Sequence, residues 1–150
     1  MIMVLNNGKQ CNISIDEAEQ LSHDEVKSFF KSMNINISDD FAEVFSEFNG
    51  GCGFPEICGT EDESFTIDES FYIDVYSPAE LKKSYDEAEQ IIENAFFFAT
   101  DGGEMEIGYD YVQNKYFWIP SIDIGIEPPE YIGGNKDEFL NYLIEYFTDE

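Results

Sequence analysis

The sequence predicts a single α+β domain spanning residues 1–150, with a mixed, mostly antiparallel sheet packed against helices. Three observations carry this. Helical periodicity fills the first third, strand alternation fills the middle, and a helix closes the chain; this order of runs differs from the alternating pattern of βαβ units. At 150 residues, 43% of them hydrophobic and 16% aromatic, the chain can bury a core without a disulfide or metal staple. Finally, paired Ser and Glu at i and i+3 mark helix starts at several points.

The elements follow in order. Ser14 with Glu17, and Ser22 with Glu25, both read as capping boxes. After the second, Val26, Phe29, Phe30 and Met33 share one helical face. Ser38 opens the next helix, with Asp39 and Asp40 at its positive end and Phe41, Val44, Phe45 and Phe48 as its apolar stripe. Asn49, Gly50 and Gly51 stop it. Residues 51–70 read as loop, with several glycines, Pro55 and the acidic run Glu61, Asp62 and Glu63. Phe71, Ile73 and Val75 alternate with polar neighbours as in a half-buried strand. Ser77, Pro78 and Glu80 start a helix whose inner face is Leu81, Tyr85, Ala88 and Ile92.

Ala95 to Ala99 is continuously apolar, as expected of a central strand covered on both faces. Met105, Ile107, Tyr109 and Tyr111 then alternate with Glu104, Glu106, Gly108 and Asp110, which predicts a strand with one apolar and one carboxylate face. Gln113 and Asn114 turn the chain into an aromatic strand, Lys115 to Ile119. Ile122, Ile124 and Ile126, interleaved with Asp123, Gly125 and Glu127, predict a further strand ended by Pro128 and Pro129. Asn135 and Glu138 cap a last helix with Phe139, Leu143 and Phe147 inward.

Charge narrows the function. The 33 acidic residues face 7 basic ones, all lysine, for a net charge of −26. Repulsion at this density, over a Debye length of about 8 Å, opposes folding and excludes nucleic acid and anionic membrane as direct ligands. The complementary ligand is a cation, either a metal or a basic protein. Solubility alone is the bland alternative.

Catalytic and metal chemistry find little footing. His23 is the one histidine, and it sits beside Asp24 and Glu25 at a helix start. No Gly-x-Ser-x-Gly elbow, Walker loop or dinucleotide fingerprint is present. Cys11, Cys52 and Cys58 lack zinc-ligand spacing, and no EF-hand loop occurs, so no cofactor or metal is expected. The apolar start Met1 to Leu5 is too short for a signal peptide, no run reaches membrane-spanning length, and the odd cysteine count suits a reduced cytoplasmic setting. An enzyme is not expected; a hydrolase using paired carboxylates is the third reading.

The segment Ile35-Asn36-Ile37-Ser38-Asp39-Asp40-Phe41, through Phe45 to Phe48-Asn49-Gly50-Gly51, resembles the first signature of the SUKH superfamily, which contains the Smi/Knr-type immunity domains. Phe97-Phe98-Ala99-Thr100-Asp101-Gly102-Gly103 and the strand to Asp110 resemble its second, and Asn135 to Leu140 resembles its closing helix. Ser38, Phe30 and Glu104 depart from the residues that the family prefers at those positions. The resemblance implies an α+β immunity protein of a polymorphic or contact-dependent toxin system, which binds and neutralises a cognate toxin, often a nuclease. A scaffold or regulatory interaction domain without a toxin is the alternative. The acids expected to meet the basic partner are Glu61, Asp62, Glu63, Glu104, Glu106, Asp110, Asp123 and Glu127.

Overall fold

A computed structural model describes residues 1–59, 72–88 and 92–148. Its secondary structure is β1 (Ile2–Val4), β2 (Gln10–Ser14), α1 (His23–Lys31), α2 (Asp39–Phe48), β3 (Cys52–Gly53), β4 (Glu56–Gly59), β5 (Ile73–Val75), α3 (Pro78–Ala88), β6 (Ala95–Thr100), β7 (Met105–Asp110), β8 (Lys115–Pro120), β9 (Glu130–Gly133) and α4 (Lys136–Thr148). The class is α+β, as expected. The strands form two sheets, β1-β2-β4 and β3-β5-β6-β7-β8-β9, and the pairings among described residues are antiparallel.

The helix starts follow their local chemistry. Ser22 and Glu25 form a reciprocal capping box on α1, with Oγ and Oε1 each 3.1 Å from the other residue's backbone nitrogen. Ser38 caps α2 by accepting from Phe41 N at 3.2 Å. Ser77 and Glu80 box the start of α3, and Asn135 accepts from Glu138 N at 2.9 Å before α4. Asn49 ends α2: its Nδ2 donates to Phe45 O at 2.8 Å and to Glu19 O at 2.8 Å, pinning the preceding loop to the helix end.

Four expectations are corrected, one being that the stretch read as loop from Gly51 onward contains β3 and β4. The chain opens with a β-hairpin, β1–β2, rather than with a helix. Ser14 is the last residue of β2, so the Ser14–Glu17 pair caps no helix. The segment from Ile122 to Glu127 is no strand: Ser121–Asp123 is a single 3₁₀ turn and residues 124–126 continue as turn. The segment follows Pro120 and contains Gly125 at φ 82°, so neither end propagates a ladder. Ile92 lies in a bend beyond α3 rather than on its inner face.

The aromatic core sits between the six-stranded sheet and α1, α2 and α4. Phe41 of α2 is fully buried, with ring centroids of Phe96, Phe98 and Tyr109 at 5.3, 5.0 and 4.5 Å. Phe30 of α1 stacks on Phe96 at 4.9 Å, and Phe139 of α4 on Tyr116 at 4.4 Å. Met3, Cys11, Ile13 and Ile57 of the smaller sheet join the same core. Asp40 fastens α2 to its neighbours: its carboxylate accepts from Tyr116 Oη at 2.8 Å and from Lys136 N, at the start of α4, at 3.1 Å. A carboxylate at a helix N-terminus is favourably placed, and burial together with that charge pushes the Tyr116 phenol far above its ordinary pKa.

Candidate protein-binding surface

The register Met105↔Pro120 places the loop before β7 and the loop after β8 at the same end of the large sheet. The first loop, 101–104, is an Asp-anchored turn. Asp101 Oδ1 accepts from Glu104 N at 3.2 Å and Met105 N at 2.9 Å, while Thr100 Oγ1 donates to Met105 O and accepts from Gly103 N. Gly102 and Gly103 adopt φ of 112° and 129°, where a side chain would be strained, which is why the sequence has two glycines there. The second loop, 121–129, is tied to the first by Ser121 N donating to Glu104 O at 2.9 Å. Asp123 O closes its turn by accepting from Ile126 N and Glu127 N, both at 2.9 Å.

This end gathers three of the eight acids singled out in the sequence. Glu104 and Glu127 are exposed and Asp123 is partly exposed. The residues that sequence reasoning missed are apolar: Ile122 is 84% exposed and Ile126 76% exposed. Their alternation with acids suggested inward-facing strand residues. Pro120, Gly125, Pro128 and Pro129 were the available signal for a projecting loop instead.

The other acids lie elsewhere. Glu106 and Asp110 are on β7, which is buried on both faces toward its C-terminal half rather than half-solvated. Glu106 is partly buried on the face away from Ile107 and Tyr109, and accepts from Tyr76 Oη at 2.7 Å. Asp110 is only 5% exposed, at the far end of the strand. Its carboxylate holds the β7–β8 turn, accepting from Val112 N at 2.9 Å, Gln113 N at 2.8 Å and Gln113 Nε2 at 3.2 Å. Glu61, Asp62 and Glu63 lie outside the described residues.

Burial raises the Glu106 carboxyl above its ordinary range; the Tyr76 hydrogen bond opposes this, and Asp101 and Asp74 add to it. Asp74 is raised by burial and by Glu80. Folded Glu106 therefore holds its proton more tightly than the unfolded chain does. Its contribution to stability is lost as pH rises through the raised folded value and is regained as pH falls toward the unfolded value of about 4.3. Glu106→Gln keeps an acceptor for Tyr76 and removes the charge. Its Tm at neutral pH is expected to exceed that of the parent, with a flatter pH dependence above about pH 4.3. Thermal melts across pH check this; an unchanged slope counts against the assignment.

The described acids are not confined to one end. Asp24, Glu25, Asp86, Glu87 and Glu145 are also exposed on the helices. Lysines are local: Lys27 pairs with Asp39, Lys82 with Asp86 at 2.8 Å, and Lys136 with Glu43. Both sheet-end loops fall in stretches without lysine, between Lys83 and Lys115 and between Lys115 and Lys136.

A groove of about 470 Å³ runs beside α3, lined by Tyr76, Glu80, Lys83, Ser84 and Glu87. Among the described residues no group of three or more His, Cys, Asp or Glu side chains is arranged to hold a metal ion, and no helix is long and apolar enough to cross a membrane. His23 is exposed in the first turn of α1.

Fold and surface together define the class: a strongly acidic α+β protein with a hydrogen-bonded, partly apolar sheet end. No family model matches the chain, and no curated protein matches it.

Proposed function

We propose that this chain is an immunity protein that binds and neutralises a basic protein toxin, a nuclease being the class its charge suits best. The observation that carries the reading is the acidic sheet end with two exposed isoleucines, which joins the two elements of a protein interface. Charge steers the encounter, and complementary fields raise association to roughly 10⁸–10⁹ M⁻¹s⁻¹ at low salt. Apolar anchors supply the affinity that charge alone does not. A nuclease is basic because it holds phosphate, so an acidic inhibitor is matched to the same groove. The resemblance to SUKH immunity proteins supports the same reading, as does the net charge of −26. In the producing cell's cytoplasm, the inhibitor would meet the toxin before nucleic acid does.

Co-expression with the toxin domain encoded next to its gene tests this. Survival well above the empty vector is expected, together with a co-purifying complex that weakens with salt. Survival equal to the empty vector, or the lack of any toxin gene there, removes the immunity reading.

A further inference from the structure

We propose that the loop from Ser121 to Pro129 is the docking anchor of this protein. Ile122 and Ile126 insert into an apolar recess on a basic protein, and Glu104, Asp123 and Glu127 meet lysines and arginines around that recess. This rests on the binding function proposed above and names where and how it acts.

Four observations converge on the loop. Ile122 and Ile126, 84% and 76% exposed, are the two most exposed large hydrophobics among the described residues. Scattered apolar residues are ordinary on a protein surface; two within five residues, on one short turn, make a local patch. The loop is also preorganised. Ser121 is bonded to Glu104 O, Asp123 O closes the turn, Pro120 precedes the loop and Pro128 and Pro129 end it. A loop already ordered loses little freedom on binding.

The electrostatics select the occupant. Asp101, Glu104, Asp123, Glu127 and Glu130 all lie in the two lysine-free stretches. A second copy of the chain would bring the same acids against one another, and an anionic membrane would repel them. A basic protein surface is the occupant that complements both the acids and the isoleucines. Lastly, the side chains assigned to contact are separable from those that hold the loop. The framework uses backbone atoms of Glu104 and Asp123 and the Asp101 carboxylate, so the Glu104, Asp123 and Glu127 carboxylates can be neutralised without dismantling it.

Amide-resolved NMR titration tests the proposal with three defined probes: an amphipathic Lys/Leu peptide, an oligolysine of equal length, and the Lys/Leu peptide with its lysines acetylated. Shifts are expected to concentrate on residues 101–105 and 121–131 with the first probe, which binds about tenfold tighter than oligolysine; the acetylated peptide binds far more weakly. The double variant I122S/I126S, with its Tm unchanged because both side chains are exposed, is expected to lose that tenfold advantage. The triple variant E104Q/D123N/E127Q is expected to weaken both cationic probes. Shifts spread over the acids of α1 and α3, or an advantage that survives I122S/I126S, overturn the anchor. The toxin assay separates the two claims. Full protection by I122S/I126S overturns the anchor and leaves neutralisation standing, whereas failure of the parent protein to protect overturns neutralisation and leaves the peptide result intact.

Discussion

Phe41→Ala is expected to cost about 3–5 kcal/mol of folding free energy, the usual range for emptying a buried aromatic position. The site has little scope to collapse. The ring touches Phe30 and Phe45 on the helical side, at 5.6 and 5.8 Å between centroids. On the sheet side it touches Phe96, Phe98, Tyr109 and Tyr116, at 5.3, 5.0, 4.5 and 6.2 Å. These neighbours come from α1, α2, β6, β7 and β8, so no single element can move in to fill the void. Domains of this kind are stable by roughly 5–15 kcal/mol in total, so the variant loses a large share of that margin. Urea unfolding with an unchanged m-value measures it. A loss under about 1 kcal/mol would show that Phe41 is not the hub that the ring contacts describe.

Gly108→Ala is the second large effect, and it arises from crowding rather than from a void. Gly108 pairs with Phe97 on one side and Phe117 on the other. A β-carbon there would stand 2.3 Å from Phe117 Cζ, 2.7 Å from its Cε2 and 2.8 Å from Phe96 O. The ring can tilt, but the carbonyl belongs to the β6 backbone and moves only if the sheet moves. Overpacking in a filled interior costs typically about 1–3 kcal/mol, and a backbone clash argues for the upper end. For a chain of this size that corresponds to a fall in Tm of roughly 5–10 °C. Phe117→Leu in the same chain removes the ring clash and is expected to restore part of the loss; the Phe96 carbonyl keeps the recovery incomplete. A melting temperature equal to the parent's would mean that the strands are spaced more widely at Gly108 than the geometry states.

Where the sequence was informative, one local chemical device decided the outcome. Ser22, Ser38, Ser77 and Asn135 each stand at a helix start and bond the backbone that a cap should. Ala95 to Ala99 reads as a doubly covered strand and lies between β5 and β7. Period alone placed β5 and β7, but it misled in one segment. The alternation from Ile122 to Ile126 is that of a strand, yet a turn bounded by prolines repeats the same polar and apolar pattern without any ladder. Ser14 and Glu17 have capping-box spacing, but Ser14 is already committed to pairing with Glu56 across β2 and β4. That partner lies in a Gly- and Pro-containing stretch which reads as loop by composition. The site was legible by half. Glu104, Asp123 and Glu127 were identified from charge, whereas the isoleucines beside them were assigned to the interior. Asp110 looked like a surface acid because alternation ignores local turn bonding, which is a common role for aspartate at the start of a turn.

The bonds between the chain's opening strand and its closing helix have a consequence for synthesis. Val4 N donates to Asp137 Oδ1 at 3.0 Å, Asn6 N to Asn141 Oδ1 at 2.9 Å, and Asn141 Nδ2 returns to Val4 O at 2.8 Å. These partners are separated by 133 to 137 positions. While the ribosome is still adding residues, β1 has nothing to close against on that side, and translation at about 5–20 residues per second leaves it waiting for several seconds. The clasp forms only once α4 has emerged, so β1 gains these bonds long after its pairing partner β2 has been made.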